Sequence, residues 1–514
     1  MNNFSRERFK TGEEYSRALF FLSPFILLFS ISLFQVLNLT LFQGDKYQTI
    51  AESNRIYQKP ISPVRGFIYD RNGTLLAENI VQRDLYVTPA YIEDSAETIL
   101  KLSNLLDVPY ELLDENFSRG VKKVKKFDSF PLVKALNEEQ IAKAKVNLDS
   151  ISGIEVKATL KRYVLHEETL AHVLGYVGDI SSDDIRRDKL LAELQNTQIG
   201  KTGIEKEFDY VLRGKPGIQT QERDVKGKLV RILDTQGAED GKDIYLTIDQ
   251  KLQDHLFKLF ENRRGALVAL EPKTGLVRAL ISSPSFNPNI LNSIVDTDEV
   301  ESLFSNKESP IFNRAISGQY PPASTLKPFV GLAAIENEVI SWDKTIKDDG
   351  EFYVEGDPRP YRGWKENGHG RVDMRKAIAE SSDVYFYTIA FDLTLAGIRP
   401  MLDSFGFGKK TGLTDFEANG LLPDKKWKLG YKGDFWFKGD TINLGIGQGY
   451  ILATPLQLAM AYSGLANKGV IYHPQFIQPE DEKSFEPKKV AEIQLSDNKA
   501  WEKMEQALVD VISG

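Results

Sequence analysis

Tyr320–Val330 reads YPPASTLKPFV, and the placing of Ser324 and Lys327 within it decides how the rest of the chain is read. Residues three apart on a helix stand on one face about a turn from each other, so this hydroxyl and this ammonium share a side. A serine hydroxyl is a weak nucleophile until a neighbouring base takes its proton, and a desolvated lysine can be that base. A helix start adds free backbone N–H groups and the positive end of the dipole, which favour a developing oxyanion. Pro321 and Pro322 fix the entry, and Pro328 falls in the first turn, where its missing N–H costs little. Taken alone the spacing also arises by chance, and a helix-capping serine beside a solvated lysine is the plainer reading.

Context downstream changes the balance. Ser381-Ser382-Asp383 lies in ESSDVYFY (Glu380–Tyr387), between helix signals at Met374–Glu380 and Val384–Leu395. A hydroxyl on such a loop can relay a proton between lysine, nucleophile and leaving amine. A polar side chain two residues on, at Asp383, can hold substrate amides. The same residues can cap the helix at Val384, which is compatible with both roles. Helix signals at Ser324–Asn337 and Pro455–Ala466, with strands at Gly265–Leu270 and Leu276–Ser282 around a turn, predict a helix–sheet–helix domain.

Upstream, a polar stretch near Gly237–Gly241 marks a boundary. DIYLT (Asp243–Thr247) reads as a strand, and Asp249–Asn262 as a helix capped by Asp249. RGFIYDRNG (Arg65–Gly73) reads as a strand entering an Asn-Gly turn. Residues 74–235 mix short strands with charged helices such as Asn137–Val146 and Ser181–Gln195. They hold no catalytic cluster and read as a spacer or docking domain. Phe42–Ile56 reads as a helix leading into them.

Composition sets outer limits. A chain of 514 residues is too long for one ordinary core and predicts at least two domains. The net charge of −8 argues against a nucleic-acid partner, which needs a clustered basic surface. There is no cysteine, so disulfides, thiolate metal sites and cysteine nucleophiles are excluded. Ala18–Gly44 carries no charge and Ala18–Phe34 is almost wholly apolar, about the length that spans a bilayer. Arg6, Arg8, Lys10 and Arg17 precede it, so the positive-inside rule puts the N-terminus in the cytoplasm. The competing reading is a cleaved signal peptide, but the run is long for one and no small-x-small site follows it.

Serine and lysine at this spacing, followed by S-D-N-like and K-T-G elements, are the set of penicillin-interacting serine enzymes. YPPASTLKPFV, ESSDVYFY and GIGQGYILATPLQL (Gly445–Leu458) resemble the class B penicillin-binding proteins. So do RGFIYDRNG, GKTGIEKEFDYVLRGKPG (Gly200–Gly217) and LTIDQKLQ (Leu246–Gln253), in the family's order. Asp383, where many relatives carry Asn, together with DVYFY resembles the elongation type, penicillin-binding protein 2. The resemblance implies an α+β protein: a cytoplasmic tail (1–17), a single transmembrane helix (18–41), an elongated non-catalytic pedestal of dimerisation type (42–235), and a serine β-lactamase-like transpeptidase domain (236–514) with a central antiparallel sheet flanked by helices. It implies inner-membrane localisation with a periplasmic catalytic domain. Ser324 is implied as the nucleophile acylated by D-Ala-D-Ala stem peptides of peptidoglycan, Lys327 as its general base, Ser381 as proton relay, and Asp383 as the residue orienting substrate or lysine. β-Lactams are implied as substrate mimics, and a multi-pass membrane glycosyltransferase with elongation-complex proteins as partners. No cofactor, metal or nucleic acid is implied.

The sequence departs from the family at the third motif. K-T-G occurs at Lys201-Thr202-Gly203 in the spacer, at Lys273-Thr274-Gly275 in a hairpin turn, and at Lys410-Thr411-Gly412 within FGFGKKTGLTDFEANGLLP (Phe405–Pro423); none follows Pro455, where the family carries it. The chain is therefore read as a fragment lacking the last strands of the sheet, including one oxyanion donor and a substrate-binding lysine. For such a form a catalytically inactive scaffold holding a glycosyltransferase is the competing reading. A β-lactam sensor or β-lactamase is a third, although no deacylation base is apparent. His369 in ENGHG (Glu366–Gly370), with Asp349 and Asp357, has metal-ligand chemistry, but with five histidines in the chain a structural histidine is the plainer reading.

Overall fold

The computed structural model describes residues 4–39, 55–124, 126–147, 151–189, 191, 198–224, 229–261, 263–292, 297–356, 358–480 and 484–513. Helix α1 (Phe4–Leu37) contains an apolar stretch, Phe20–Leu37, long enough to cross a membrane and with none of its residues buried in the protein. The expected continuation over 42–56 lies almost wholly outside the described residues, as do the last two residues of the expected span.

In chain order the strands as far as Ser283 are β1 (Ile56–Ile61), β2 (Ile68–Tyr69), β3 (Leu75–Val87), β4 (Phe130–Val133), β5 (Ile154–Val164), β6 (Val177–Asp179), β7 (Gln198–Gly200), β8 (Gly217–Arg223), β9 (Leu229–Gln236), β10 (Ile244–Tyr245), β11 (Gly265–Leu270) and β12 (Val277–Ser283), with short two-stranded pairs beyond. The residues fall into two compact units, one of Met1–Ser62 with Pro216–Ala238, the other of Pro63–Lys215 with Glu239–Gly514. In the first, β1, β8 and β9 form an antiparallel sheet.

In the second unit, β10, β2, β3, β4 and β5 form a mixed sheet, with β5 paired along β3 from Val87↔Ile154 to Ala77↔Val164. The Asn-Gly signal at 72–73 is a turn closed by Asp70, whose carboxylate accepts the N–H groups of Asn72 (2.8 Å) and Thr74 (2.7 Å). Three helices, α2 (Ser95–Leu106), α3 (Tyr110–Lys123) and α4 (Glu138–Asn147), make a small separate core with β3 and β4 around Leu85, Leu102, Leu106 and Leu113. Of the charged helix expected at 181–195, Ser182–Arg187 is helical and ends at Asp188, which has extended backbone; 190 and 192–195 lie outside the described residues.

Two family-like motifs meet in one buried ion cluster. The Glu205 carboxylate accepts from Arg65 Nε (2.7 Å) and Arg162 Nε (2.6 Å), and Arg65 Nη1 reaches Asp209 (2.9 Å). Arg162 Nη1 also donates to Gly66 O (2.8 Å). Burial pushes the Glu205 carboxyl up, but the two guanidiniums outweigh it and hold it below the ordinary range. The cluster thus ties RGFIYDRNG, β5 and the 200–213 segment together.

Helices α5 (Glu167–Leu174) and α6 (Gly203–Glu207) precede α7 (Gln250–Lys258), which Asp249 caps by accepting Leu252 N–H. Gln253 on α7 is fully buried and donates to Thr169 O (2.7 Å) and Leu280 O (2.8 Å), stapling α5 to β12. The β11–β12 antiparallel pair is the expected hairpin, and Lys273-Thr274-Gly275 is its turn. Gly275 has φ +78, and a Cβ there would stand 2.2 Å from His473 O. The hairpin is flanked by α7 on β12 and α11 (Pro455–Ala466) on β11, giving an antiparallel pair between helices.

At the centre lies α8 (Lys327–Glu336), whose residues 327–334 are all buried. A helix apolar all round belongs inside a core. Its Phe329 ring meets those of Phe405, Phe407 and Tyr462 edge-on at 4.7, 5.3 and 5.4 Å. Removing one partner of a buried ion cluster leaves the others uncompensated. Glu205→Ala is therefore expected to destabilise the protein by about 3–5 kcal/mol; an unchanged denaturant midpoint would show that the arginines need no buried acceptor.

Candidate active site

Ser324 does not stand in the α-helix that its spacing suggested. Ala323–Leu326 is a single 3-10 turn and the α-helix begins at Lys327. Pro328 explains the shift: it has no N–H to give Ser324 O in the α pattern, so that carbonyl accepts from Lys327 N instead. With three residues per turn, a 3-10 turn still sets residues 324 and 327 on one side. Ala323 takes a left-handed backbone, φ +50, and its N–H donates to Gly447 O (2.9 Å). Gly447, in GIGQG, approaches so closely that a Cβ would stand 2.1 Å from Ala323 O.

Ser381 sits between α9 (Met374–Ala379) and α10 (Asp383–Ser404), again left-handed at φ +54. Ser382 next to it is the residue that caps α10, accepting Tyr385 N–H (3.2 Å). A left-handed backbone is strained for a residue with a Cβ, and the packing on either side holds both sites in it.

These turns bring four expected residues together. Ser381 Oγ and Ser324 Oγ are 2.9 Å apart. Lys327 Nζ donates to Ser381 Oγ (3.0 Å), Ser381 O (2.8 Å) and Asp383 Oδ1 (2.7 Å). The lysine therefore reaches Ser324 through the loop hydroxyl, with all three of its protons engaged. Lys327 is 1% exposed. Burial depresses its pKa below the ordinary lysine value, and the neighbouring Asp383 and Asp348 carboxylates only partly restore it. Ser324, Ser381 and Asp383 open on a cleft of about 330 Å³, walled also by Ala323, Trp364, Ile446 and Gln448.

Trp364, Ile446 and Gln448 did not emerge from the sequence as site residues. Trp364 is held at the cleft wall by its backbone N–H to Asp383 Oδ2 (3.0 Å) and its indole N–H to Ser381 O (3.1 Å). Only the GIGQG glycines signalled a close backbone approach in that segment.

His369 lies beneath this loop. Its Nδ1 is 2.6 Å from Asp348 Oδ2, which also accepts from Ser382 Oγ (2.6 Å). Burial pushes Asp348 up, but the bonds from Ser382, His369 and Gly350 N–H outweigh it and hold the carboxyl below its usual range. The histidine's neighbour is thus Asp348; Asp349 pairs with Lys347 (2.8 Å), and Asp357 lies outside the described residues. Among the described residues no three His, Cys, Asp or Glu side chains gather as a metal site. Of the three K-T-G strings none lines the cleft: Lys201 pairs with Asp184, Lys273 is in the hairpin turn, and Lys410 Nζ donates to Asp415 O (2.6 Å).

A serine hydroxyl joined through a second hydroxyl to a buried lysine of depressed basicity, on an open cleft, defines a serine acyl-transfer enzyme of the penicillin-interacting class. Comparison with known proteins agrees. Residues 60–246 match the family model of the penicillin-binding protein dimerisation domain, and residues 265–514 that of the penicillin binding protein transpeptidase domain. The peptidoglycan D,D-transpeptidase MrdA of Acinetobacter baumannii is 37% identical over 480 residues, 92% of this chain and 71% of that protein. MrdA of Escherichia coli K12 is 36% identical over 469 residues, 90% of this chain and 74% of that protein. The solved complex of PBP2 and MreC from Helicobacter pylori matches with a TM-score of 0.79 at 29% identity, over 89% of this chain and 85% of that one. Pseudomonas aeruginosa PBP2 in complex with WCK 5153 matches at 0.66 and 29%, over 89% and 82%. The chain belongs to the MrdA family of peptidoglycan D,D-transpeptidases, the penicillin-binding protein 2 group.

The lysine's environment gives a pH test. Asp383→Asn removes the anion that favours the ammonium, so the pH at which acylation by penicillin switches on should fall, by about one unit or more; a rise would contradict the arrangement. Asp348→Ala strips Ser382 and His369 of their acceptor and should cost about 1–3 kcal/mol of stability, read as a lower Tm.

Proposed function

We infer that this chain is a peptidoglycan D,D-transpeptidase of cell elongation that works through an acyl-enzyme on Ser324 and is a target of β-lactams. The observation that carries the reading is the hydrogen-bonded string Ser324–Ser381–Lys327–Asp383 opening on a cleft. Family membership gives the reaction class, and the string supports the roles proposed for these residues. With Lys327 neutral, its lone pair takes the Ser381 proton while Ser381 Oγ takes that of Ser324. Ser324 Oγ then attacks the carbonyl between the two terminal D-alanines of a donor stem. Collapse of the tetrahedral adduct breaks the C–N bond, and the proton returns from Lys327 through Ser381 to the departing D-alanine amine. The amine of a neighbouring stem then attacks the ester, its proton leaves by the same route, and Ser324 is released as the cross-link forms. Asp383 keeps the lysine amine directed at Ser381 through each transfer. A β-lactam ring takes the donor's place and leaves Ser324 acylated.

Residues 42–235 act in this reading as the non-catalytic pedestal and those from 236 onward as the catalytic domain. Phe20–Leu37 anchors the chain in the inner membrane, with the basic N-terminal residues in the cytoplasm and the cleft in the periplasm. The partners are a multi-pass glycosyltransferase, which supplies the glycan strand, and elongation-complex proteins; the relative from Helicobacter pylori was solved with MreC. The reading needs no cofactor.

Ser324→Ala should abolish covalent labelling by a fluorescent penicillin. Ser381→Ala and Lys327→Met should leave a labelled band that forms roughly 10²–10⁴-fold more slowly. Labelling that survives Ser324→Ala would transfer the nucleophile elsewhere and end this reading.

A further inference from the structure

A second cavity, of about 510 Å³, lies within the same compact unit and shares no residue with the Ser324 cleft. Its walls are mainly apolar, with Phe286, Phe304, Phe312, Phe416 and Leu280 among them. Its size falls in the range of pockets that enclose a small organic ligand. The polar groups on it are few, and most are already engaged. His172 is half-buried, its Nε2 2.8 Å from Pro310 O and its Nδ1 3.3 Å from Ser285 Oγ. Burial depresses its pKa to about 4, so it presents no charge at neutral pH. Lys201 is paired with Asp184.

Lys206 is different. Its ammonium lies 4.0 Å over the Phe416 ring, at the cavity wall, with no carboxylate in ion-pair reach among the described residues. Among the described residues no Asp or Glu lines the cavity. Asp184 and Glu207 act on the Lys206 ammonium from beyond ion-pair reach, and a cation that is partly desolvated, stacked on an aromatic face and without a close ion pair keeps an unmet electrostatic preference. Apolar walls ending in such a cation match one kind of molecule: an apolar body carrying a single negative head.

We propose that this cavity binds an amphipathic monocarboxylate, its alkyl or aryl body against the phenylalanine walls and its carboxylate paired with Lys206. The site joins α5 and the Lys201–Lys206 segment to β12 and the residues around Phe416, so its occupant bridges the two halves of the compact unit. It takes no part in the acyl transfer itself.

The test uses the full chain in phosphatidylcholine nanodiscs, with empty discs as the blank. The probe is 6-(4-fluorophenyl)hexanoate, followed by fluorine NMR line broadening, against its neutral counterpart 6-(4-fluorophenyl)hexan-1-ol. Saturable binding of the acid is expected, weakened about tenfold or more by Lys206→Glu and retained by Lys206→Arg. The alcohol is expected to bind more weakly than the acid and to ignore both substitutions. Thermal melts report whether each variant is folded. Acid binding no greater than in empty discs, equal affinity for acid and alcohol, or indifference of the acid to Lys206→Glu each overturns the proposal.

Discussion

The burial of one amine governs this site. Lys327 is almost wholly removed from water, yet all three of its protons have acceptors, two on Ser381 and one on Asp383. An ammonium that is desolvated without partners gives up its proton or destabilises the fold. Here burial and the neighbouring anions pull in opposite directions, and burial prevails, leaving a lysine that is satisfied yet more acidic than usual. In the proposed mechanism, that balance lets an ordinary serine at 324 act as the nucleophile.

The balance depends on the rigidity of what surrounds the amine. Helix α8 has no solvent face, and Phe329 is locked by three rings behind it. The loop bearing Ser381 is held from below by Ser382 on Asp348 and from above by the Trp364 indole on Ser381 O. Ala323 and Ser381, each beside or within the Ser324–Ser381 pair, both have positive φ. Strained backbone of this kind persists only where neighbours over-determine it, and Gly447 and Ser382 do so here. Hydroxyls 2.9 Å apart on two separate loops are therefore held in alignment, as the proposed transfer requires.

The family-like motifs away from the cleft have architectural rather than chemical work. Arg65, Arg162, Glu205 and Asp209 form a buried ion cluster, Asp70 closes its turn and reaches Gln250 N (3.2 Å), and Gln253 pins α5 to β12. Each lies on a segment distant in sequence from its partners. Side chains in such networks are expensive to change singly because each removal strands a buried polar group. The cavity at Lys206 sits among these same elements, which gives an occupant there a hold on several of them at once.

The sequence by itself determined the local chemistry and the class. The three-residue spacing of Ser324 and Lys327, the second hydroxyl at Ser381, the acid at Asp383, the apolar N-terminal run, the Asn-Gly turn and the helix cap at Asp249 are short-range signals, set by backbone period and side-chain chemistry. The structure bears out the helices at 374–379 and 455–466 and moves the start of the central one, because Pro328 cannot donate to Ser324. Only the tertiary structure decided that Lys327 reaches Ser324 by way of Ser381, that Trp364 and Gln448 wall the cleft, and that His369 answers to Asp348 rather than Asp349. Those pairings join residues tens of positions apart through left-handed turns and core packing, and nothing in local periodicity encodes which distant loop a buried amine will face.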